Sequence, residues 1–344
     1  MAATTRHPAV AGTAAAPSSL HPAPVAPPSA TARTTTTAAV APGANTSGQR
    51  KYKYTGGFDF TKISSGMREK FKHVGRFDER SLPNMQALLG LIEADTAMND
   101  IRWIAYMLAT ALWETSHIEV IKVPVVNAKG APKTDKVGNV ITRTKKIWTN
   151  MAPAPETGSG EGHGYFLPVK VATLPSGEMQ VTEQDGDQWT INANGVEKAV
   201  TGTRAAPRKV ADLGASPGTK TSDIYKKALG DEKKFYGRGY VQLTWWSNYA
   251  KAGVELNKGV GFFLNDPEQA MEASYAYQLM SIGMRTGAGF ANGLTFEDYF
   301  SGNNRDYVGA RTMVNKKDVA SIQPVAEIAR LFEDVLWDAR KTTS

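Results

Sequence analysis

The sequence contains no cysteine among its 344 residues. Disulfides and thiolate metal sites are therefore excluded, and the fold must rest on its core alone. A long apolar run is missing too. The longest, IRWIAYMLATALW (101–113), contains Arg102 and is shorter than a bilayer-spanning helix, so it predicts a buried helix and no membrane span. No basic start leads into an apolar run at the N-terminus, so we expect synthesis in the cytoplasm without a signal peptide.

The first 54 residues contain no acidic side chain, although they carry five basic ones. The whole chain has a formal net charge of +7, so only +2 remains for the rest of the chain. Because most of the excess charge belongs to this tail, no nucleic-acid groove is predicted and no nucleic-acid partner is expected. Two later segments, 122–146 and 198–234, are locally basic. They could face a polyanion or form solvated loops.

Residues 1–50 lack any hydrophobic periodicity, and 35 of them are Ala, Pro, Thr or Ser. Such a composition cannot bury enough apolar surface to offset the entropy of ordering the chain. We therefore expect a disordered tail or spacer over residues 1–54.

Helical spacing of apolar residues marks both ends of the remaining chain. It covers 83–97 and 99–117, and it returns from 267 onward. Asn99 or Asp100 is a suitable cap for the second of these helices. Short β-branched runs between Gly, Pro and Asn-Gly turns predict strands in the middle of the chain. We expect an α+β fold in which a β-rich insertion interrupts a helical domain. The predicted parts are 55–121 (helical), 122–230 (insertion) and 231–344 (helical).

A carboxylate ends the apolar face of the predicted helix at 101–118. Glu114 falls near the same face as Met107 and Ala111. Desolvation and the negative end of the helix dipole would both raise the pKa of this carboxyl. A carboxylic acid that stays protonated near neutrality can act as a general acid. On the helix pattern alone, a Glu114 that turns to solvent or caps His117 is the favoured interpretation.

Aromatic residues crowd into FYGRGYVQLTWWSNY (235–249). If the segment is an extended strand, Val241, Leu243 and Trp245 form an apolar face towards the core. The opposite face would combine an amide, a hydroxyl and two rings, a mixture that suits sugars. An aromatic core strand with one half-exposed side fits equally well. The residues of that opposite face are Tyr240, Gln242, Thr244 and Trp246.

A glycine-rich loop, APAPETGSGEGHGYFLP (152–168), carries Glu156 and Glu161. No strand-to-helix unit surrounds this loop and no Lys-Ser/Thr pair follows it, so a nucleotide site is not indicated. The histidines show no zinc-binding pairing either. We expect neither a metal nor a cofactor.

Three segments resemble glycoside hydrolase family 19, which contains the chitinases and related phage and bacterial peptidoglycan hydrolases. GDEKKFYGRGYVQLTWWSNYAKAG (230–253) is similar to the family's YGRG–(I/V)QL(S/T)–NY signature. IAYMLATALWETSH (104–117) resembles its catalytic-helix segment, and DYVGARTMVNKKD (306–318) its late segment with a sugar-contacting Asn. The motifs stand in the family's order. The resemblance implies a mainly helical, lysozyme-like catalytic domain.

The resemblance implies roles for individual residues. Glu114 takes the place of the general acid, and Thr244 that of a hydroxyl that helps to hold the attacking water. MAPAPETGSGEGHGY resembles a stretch of the bacterial and phage branch that places the base at Glu156, with Glu161 as the alternative. Glu156 lies 42 residues beyond Glu114. The predicted substrate-contact residues are Tyr236, Arg238, Tyr240, Gln242, Trp246, Asn248 and Asn315.

The predicted activity is cleavage of β-1,4 bonds of bacterial peptidoglycan by an inverting mechanism. Inversion requires the two carboxyls to stand roughly 6.5–9.5 Å apart. The missing cysteines and signal peptide favour peptidoglycan over chitin, and we expect a monomer that acts on the wall after lysis, virion delivery or dedicated export. The alternatives are a chitinase on N-acetylglucosamine polymers and a non-catalytic cell-wall-binding virion protein. A cell-wall amidase or peptidase would call for a zinc triad or a Cys/His pair.

Overall fold

The computed structural model describes residues 52–160, 165, 167–183, 186–201, 232–315 and 318–341. The predicted tail up to residue 51 and Glu161 lie outside the described residues. Helices come first, strands follow and helices return, so the mixed α and β class is confirmed. The first helices are α1 (Phe60–Lys70), α2 (Leu82–Ala94) and α3 (Ile101–Glu114). The strands are β1 (His117–Pro124), β2 (Thr142–Thr149), β3 (Lys170–Thr173), β4 (Met179–Thr182), β5 (Gln188–Ile191) and β6 (Glu197–Thr201). The later helices are α4 (Trp246–Glu255), α5 (Phe262–Asn265), α6 (Ala273–Thr286), α7 (Phe296–Phe300), α8 (Tyr307–Ala310), α9 (Thr312–Asn315) and α10 (Val319–Ala339).

Helix α3 forms the centre of the fold, because every residue from Ile101 to Leu112 is buried. Asp100 caps this helix by accepting the backbone N–H of Arg102 at 2.9 Å. The same carboxylate pairs with the buried Arg102 guanidinium at 2.7 Å, which lets a cation stay inside an apolar run. The predicted buried helix and its Asp100 cap are confirmed.

The first core surrounds α3 and is built mostly by helices. Helix α10 packs along α3 and also against α1, while α2 and α6 close other sides. Side chains at the centre of this core are fully buried, among them Leu88, Ile104 and Phe332. The core therefore fixes α3, and with it the position of Glu114.

The tail boundary predicted at residue 54 is wrong by at least three residues. Tyr52 is buried, and the Arg102 guanidinium lies 4.2 Å from the centre of its ring. Tyr54 donates its backbone N–H to the carbonyl of Asn99 at 3.1 Å. Tyr52 is therefore part of the buried core, and Tyr54 packs against that core.

The helical segment predicted to reach His117 ends earlier than expected. Thr115 closes α3 by donating its hydroxyl to the carbonyl of Ala111 at 2.6 Å. The next residues alternate in orientation as β1, which pairs with β2 from His117–Thr149 to Pro124–Thr142. β-branched residues in this stretch favour a strand over another helical turn.

Residues 117–149 form one antiparallel hairpin, which we call the arm. Beyond β1 and β2 the arm continues through two turns that are closed in the same way. The side chain of Asn127 accepts the backbone N–H groups of Lys129 and Ala131, and Asp135 accepts those of Val137 and Asn139. Each turn ends in a left-handed glycine, the arrangement of a hairpin loop with a glycine bulge.

Strands β3 to β6 form a separate antiparallel sheet in sequential order. Its inner face packs against α4 and α5 in a second core that includes Trp189, Ile191, Trp246 and Phe263. The insertion predicted at 122–230 is therefore not one unit in its described part. It divides into the projecting arm and a sheet that shares its core with the later helices. Strand β6 was not anticipated by the sequence pattern.

Candidate active site

The aromatic segment 235–249 is not the extended strand that its alternation predicts. Arg238 and Leu243 pair as an isolated bridge around a tight reversal of the chain, and Trp246 already begins α4. Gln242 and Trp245 have φ angles of 53° and 71°. Positive φ is rare for residues other than glycine, so periodicity could not reveal this turn.

Three of the predicted substrate-contact residues lie below the surface. Arg238, Tyr240 and Trp246 are only 2%, 1% and 3% exposed. Tyr240 packs in the first core and Trp246 in the second, so the aromatic segment joins the two cores. Arg238 is held by the Glu268 carboxylate at 2.5 Å and by the Tyr249 hydroxyl at 3.1 Å. These three side chains shape the turn and expose little surface to a substrate.

Four of the predicted site residues in the turn are half-buried, so part of each side chain is exposed. They are Tyr236, Gln242, Thr244 and Asn248. Asn248 donates to the carbonyl of Thr244 at 2.8 Å, which fixes the start of α4 relative to the turn. Gln242 donates to the carbonyl of Ala154 at 2.9 Å and so ties the turn to the loop that carries Glu156.

Glu114 is the last residue of α3, and its side chain is 16% exposed. One carboxylate oxygen lies 2.6 Å from the Arg311 guanidinium, whose side chain is almost fully buried. Arg311 in turn donates to the hydroxyl of Ser321 at 2.7 Å and faces the Asp318 carboxylate at 3.5 Å. Desolvation raises the pKa of Glu114, and this effect outweighs the lowering by Arg311. The raised pKa expected for a general acid is therefore present, with burial as its main cause.

Glu156 is held by three hydrogen bonds around one short stretch of chain. Its carboxylate accepts the backbone N–H of Gly237 at 3.0 Å and the hydroxyl of Tyr165 at 2.7 Å. Its own backbone N–H donates to the Gly237 carbonyl at 2.7 Å. Burial and the neighbouring carboxylate raise the pKa of Tyr165, so its hydroxyl remains a donor. Both carboxylate oxygens thus have a fixed donor.

Gly237 permits this close approach because it has no side chain. A Cβ atom at this position would stand 2.7 Å from the Gln242 amide oxygen and 3.2 Å from the Glu156 carboxylate. The YGRG motif therefore packs directly on the glutamate loop. The loop and the motif, 81 residues apart, form one unit.

The arm accounts for most of the residues that separate the two glutamates in the sequence. It leaves α3 after Ser116 and returns at Asn150, where the Met151 backbone N–H donates to the Thr115 hydroxyl at 2.8 Å. Glu156 follows only five residues after Met151. The 41 residues between Glu114 and Glu156 therefore mostly form the arm, whose root is closed by this hydrogen bond. Glu114 is the last residue of α3, and Glu156 follows shortly after the point where the chain returns to the end of this helix.

Asn315 ends α9, one helical turn after Arg311, whose carbonyl accepts its backbone N–H at 3.0 Å. Sequence reasoning singled out Asn315 but missed Arg311 and Tyr165, the partners of the two glutamates. Both lie inside the quoted motif segments. An arginine among the apolar residues of GARTMV was the available signal, because a buried cation requires an anion.

No protein-family model, curated protein or solved structure matches this chain. Within the described ranges, no helix is long and apolar enough to cross a membrane. The same ranges hold no cluster of three or more His, Asp or Glu side chains that could bind a metal ion.

Proposed function

We propose that this protein is a glycoside hydrolase with a lysozyme-like catalytic domain that cleaves β-1,4 bonds of bacterial peptidoglycan. The observation that carries this proposal is the joining of three separated motifs around Glu114 and Glu156. The arm root joins Thr115 to Met151, and the glutamate loop packs on Gly237. An acid and a base in one site require two carboxyl groups whose different surroundings give them different pKa values. Glu114 and Glu156 have different surroundings, and these two contacts connect the segments that carry them.

In the proposed mechanism Glu114 protonates the glycosidic oxygen. Its burial supports this role because a raised pKa keeps the proton available. Glu156 activates a water from the opposite side of the sugar, with Thr244 helping to hold that water. The Tyr165 and Gly237 donors support this role because they fix the direction in which the carboxylate points. No metal or cofactor takes part in these steps.

The proposed substrate follows from the resemblance and from the half-buried polar side chains of the turn. Tyr236, Gln242 and Asn248 offer a ring and two amides, which suit the ring faces and N-acetyl groups of amino sugars. Chitin shares these groups, so a chitinase is the nearest alternative within the same chemistry. We propose a monomer that reaches the cell wall after lysis, virion delivery or dedicated export.

A second candidate is a sugar-binding module without catalysis. The close contact between Glu114 and Arg311, at 2.6 Å, favours it, because such a pair can have a purely structural role and hold the end of α3 against the junction between α8 and α9. In that case the carboxylate would never transfer a proton. The two candidates differ in whether the function of the protein requires the acidic proton of Glu114.

Glu114→Gln separates the two candidates, with Glu119→Gln as its matched control. Glu119 lies five residues later on the exposed arm, so its substitution makes the same chemical change outside the site. Purified peptidoglycan and chitin are digested and the products are analysed by mass spectrometry for new reducing ends. We expect Glu114→Gln to lose about 10²–10⁴-fold in rate and Glu119→Gln to match the natural protein. Natural turnover in Glu114→Gln would leave the sugar-binding module, and free amino groups in place of reducing ends would mean an amidase or peptidase.

A further inference from the structure

The arm carries most of the exposed apolar side chains in the described part of the protein. Six of the nine large hydrophobic side chains that are exposed there belong to residues 117–149. Val137 is 86% and Val120 is 59% exposed. Scattered apolar residues are ordinary on a surface, but this concentration on one projection is not. The six are Ile118, Val120, Val126, Val137, Val140 and Ile141.

The arm is also the most cationic part of the described chain. It contains seven basic residues and two acidic ones, which gives a net charge of +5. Residues 55–116 and 150–344 together have a net charge of −3. One of the two acids, Asp135, already accepts the backbone N–H groups of its own turn. The positive charge is thus nearly uncompensated within the arm.

At three pairs of residues in the two strands of the arm, a cation lies directly opposite an apolar side chain. Val120 is paired with Lys146, and Ile121 with Lys145. The exposed strand edges would be protected by the lysines alone. Threonine would supply the same strand preference as valine, so the fold of the hairpin does not require the exposed valines. These valines are best explained by a contact outside the chain.

We propose that the arm docks on the surface of an anionic lipid membrane. Its lysines would meet the headgroups, and its valine and isoleucine side chains would enter the shallow apolar layer beneath them. A nucleic acid or another soluble polyanion would use the charges and leave the apolar side chains idle. A second copy of the chain would bring two +5 arms together, which repels.

The position of the arm gives this docking a consequence for the candidate site. The arm is rooted where His117 pairs with Thr149, three residues after Glu114. A protein bound through the arm would therefore be anchored to the membrane by the segment that directly follows the helix of Glu114. The inference does not depend on the proposed function, because binding to lipid can be measured without any substrate.

The test measures co-sedimentation of the full chain with lipid vesicles. One set of vesicles contains phosphatidylcholine alone, and the other contains phosphatidylcholine with phosphatidylglycerol. A charge set combines Lys133→Gln, Lys145→Gln and Lys146→Gln. Each lysine near such a surface changes binding about fivefold, so we expect the charge set to bind the anionic vesicles roughly a hundredfold more weakly.

An apolar set combines Val120→Thr, Val126→Thr and Val140→Thr, which keep the shape and the strand preference of the side chain. We expect this set to bind the anionic vesicles at least about tenfold more weakly than the natural chain. Circular dichroism and the melting temperature check that both sets remain folded. All of the substituted side chains are exposed, so the fold should tolerate the changes.

The matched control makes the same kinds of change on β6 and the residue before it, where Val196, Lys198 and Val200 are also exposed. We expect Val196→Thr, Lys198→Gln and Val200→Thr together to leave binding unchanged. Binding to anionic vesicles only, weakened by both arm sets and not by the control, supports the inference. Absence of binding, or an apolar set that binds like the natural chain, overturns it. Binding of duplex DNA that the charge set abolishes and the apolar set preserves would identify a polyanion partner and also overturn it.

Discussion

Arg311→Met tests whether Glu114 carries a perturbed proton, because Arg311 is its nearest cation. The substitution removes the contact at 2.6 Å and leaves a carboxylate that is mostly buried. Breaking a buried ion pair by removing one partner costs about 3–5 kcal/mol. The Asp318 carboxylate at 3.5 Å from Arg311 would then add repulsion instead of sharing the cation. We expect the melting temperature at neutral pH to fall by on the order of 10 °C.

The loss of stability caused by Arg311→Met should be larger at higher pH. Burial already raises the pKa of Glu114 in the folded state, and removal of Arg311 raises it further. A carboxyl with a raised folded pKa costs stability as the pH rises through that pKa. The difference in the free energy of unfolding between Arg311→Met and the natural protein should therefore be smaller at about pH 5 than at about pH 7. Keeping Glu114 protonated in the folded variant costs about 1.4 kcal/mol for each pH unit above the ordinary pKa of a glutamate, and this cost is the upper limit of the electrostatic loss.

Urea unfolding at both pH values measures these free energies, and Glu114→Gln in the same background completes a double-mutant cycle. Glutamine carries no charge, so the double variant should recover part of the loss at neutral pH. In the proposed enzyme, the high-pH limb of the pH–rate profile of Arg311→Met should also move to higher pH. An equal loss at both pH values, or no recovery in the double variant, would show that Arg311 acts through packing alone and refute the reasoning.

Three further changes test other parts of the site and fold. Gly237→Ala places a Cβ 2.7 Å from a glutamine oxygen, so we expect up to about a hundredfold loss of activity in a folded protein, whereas Gly90→Ala, with open space around it, should keep full activity. Glu156→Ala should lose far more activity than Glu161→Ala, and azide should partly restore it; the reverse order would make Glu161 the base. A chain that begins at residue 51 should melt like the whole protein, whereas removal of Tyr52 as well should lower the melting temperature by several degrees.

The features that could be predicted from sequence are those set by local pattern. Thirteen consecutive residues of α3 read as a buried helix because its period and cap act within the segment itself. Most strands of the insertion could be predicted from their turns for the same reason, whereas β6 (Glu197–Thr201) could not. The partition of the insertion between the arm and the second core was not, because it depends on contacts with α4 and α5, more than 50 residues away.

The extended strand predicted at 235–249 is absent for a different reason. The alternation of apolar and polar residues there is real, but Val241 and Leu243 face two different cores instead of one. A turn with positive φ at Gln242 sends them apart. The tertiary contacts with Ala154 and Glu268 hold that turn, and a period of two carries no information about them. Strand periodicity next to a Gly-x-Gly motif is therefore weak support for a strand.

Removal of most of the arm is the sharpest test of how the fold brings the glutamates together. If the closed root suffices, residues 121–145 can be replaced by Asn-Gly, which forms a two-residue hairpin turn between Val120 and Lys146. The contact between Thr115 and Met151 would remain, and a shorter loop costs less closure entropy, by about 0.6 kcal/mol for each halving of length. We therefore expect an unchanged or slightly higher melting temperature, intact hydrolysis of dispersed peptidoglycan and loss of binding to anionic vesicles. A protein that melts many degrees lower would mean that the arm supports the core. A stable protein without hydrolysis would mean that substrate contacts lie on the arm itself, and the base would then have to be sought there.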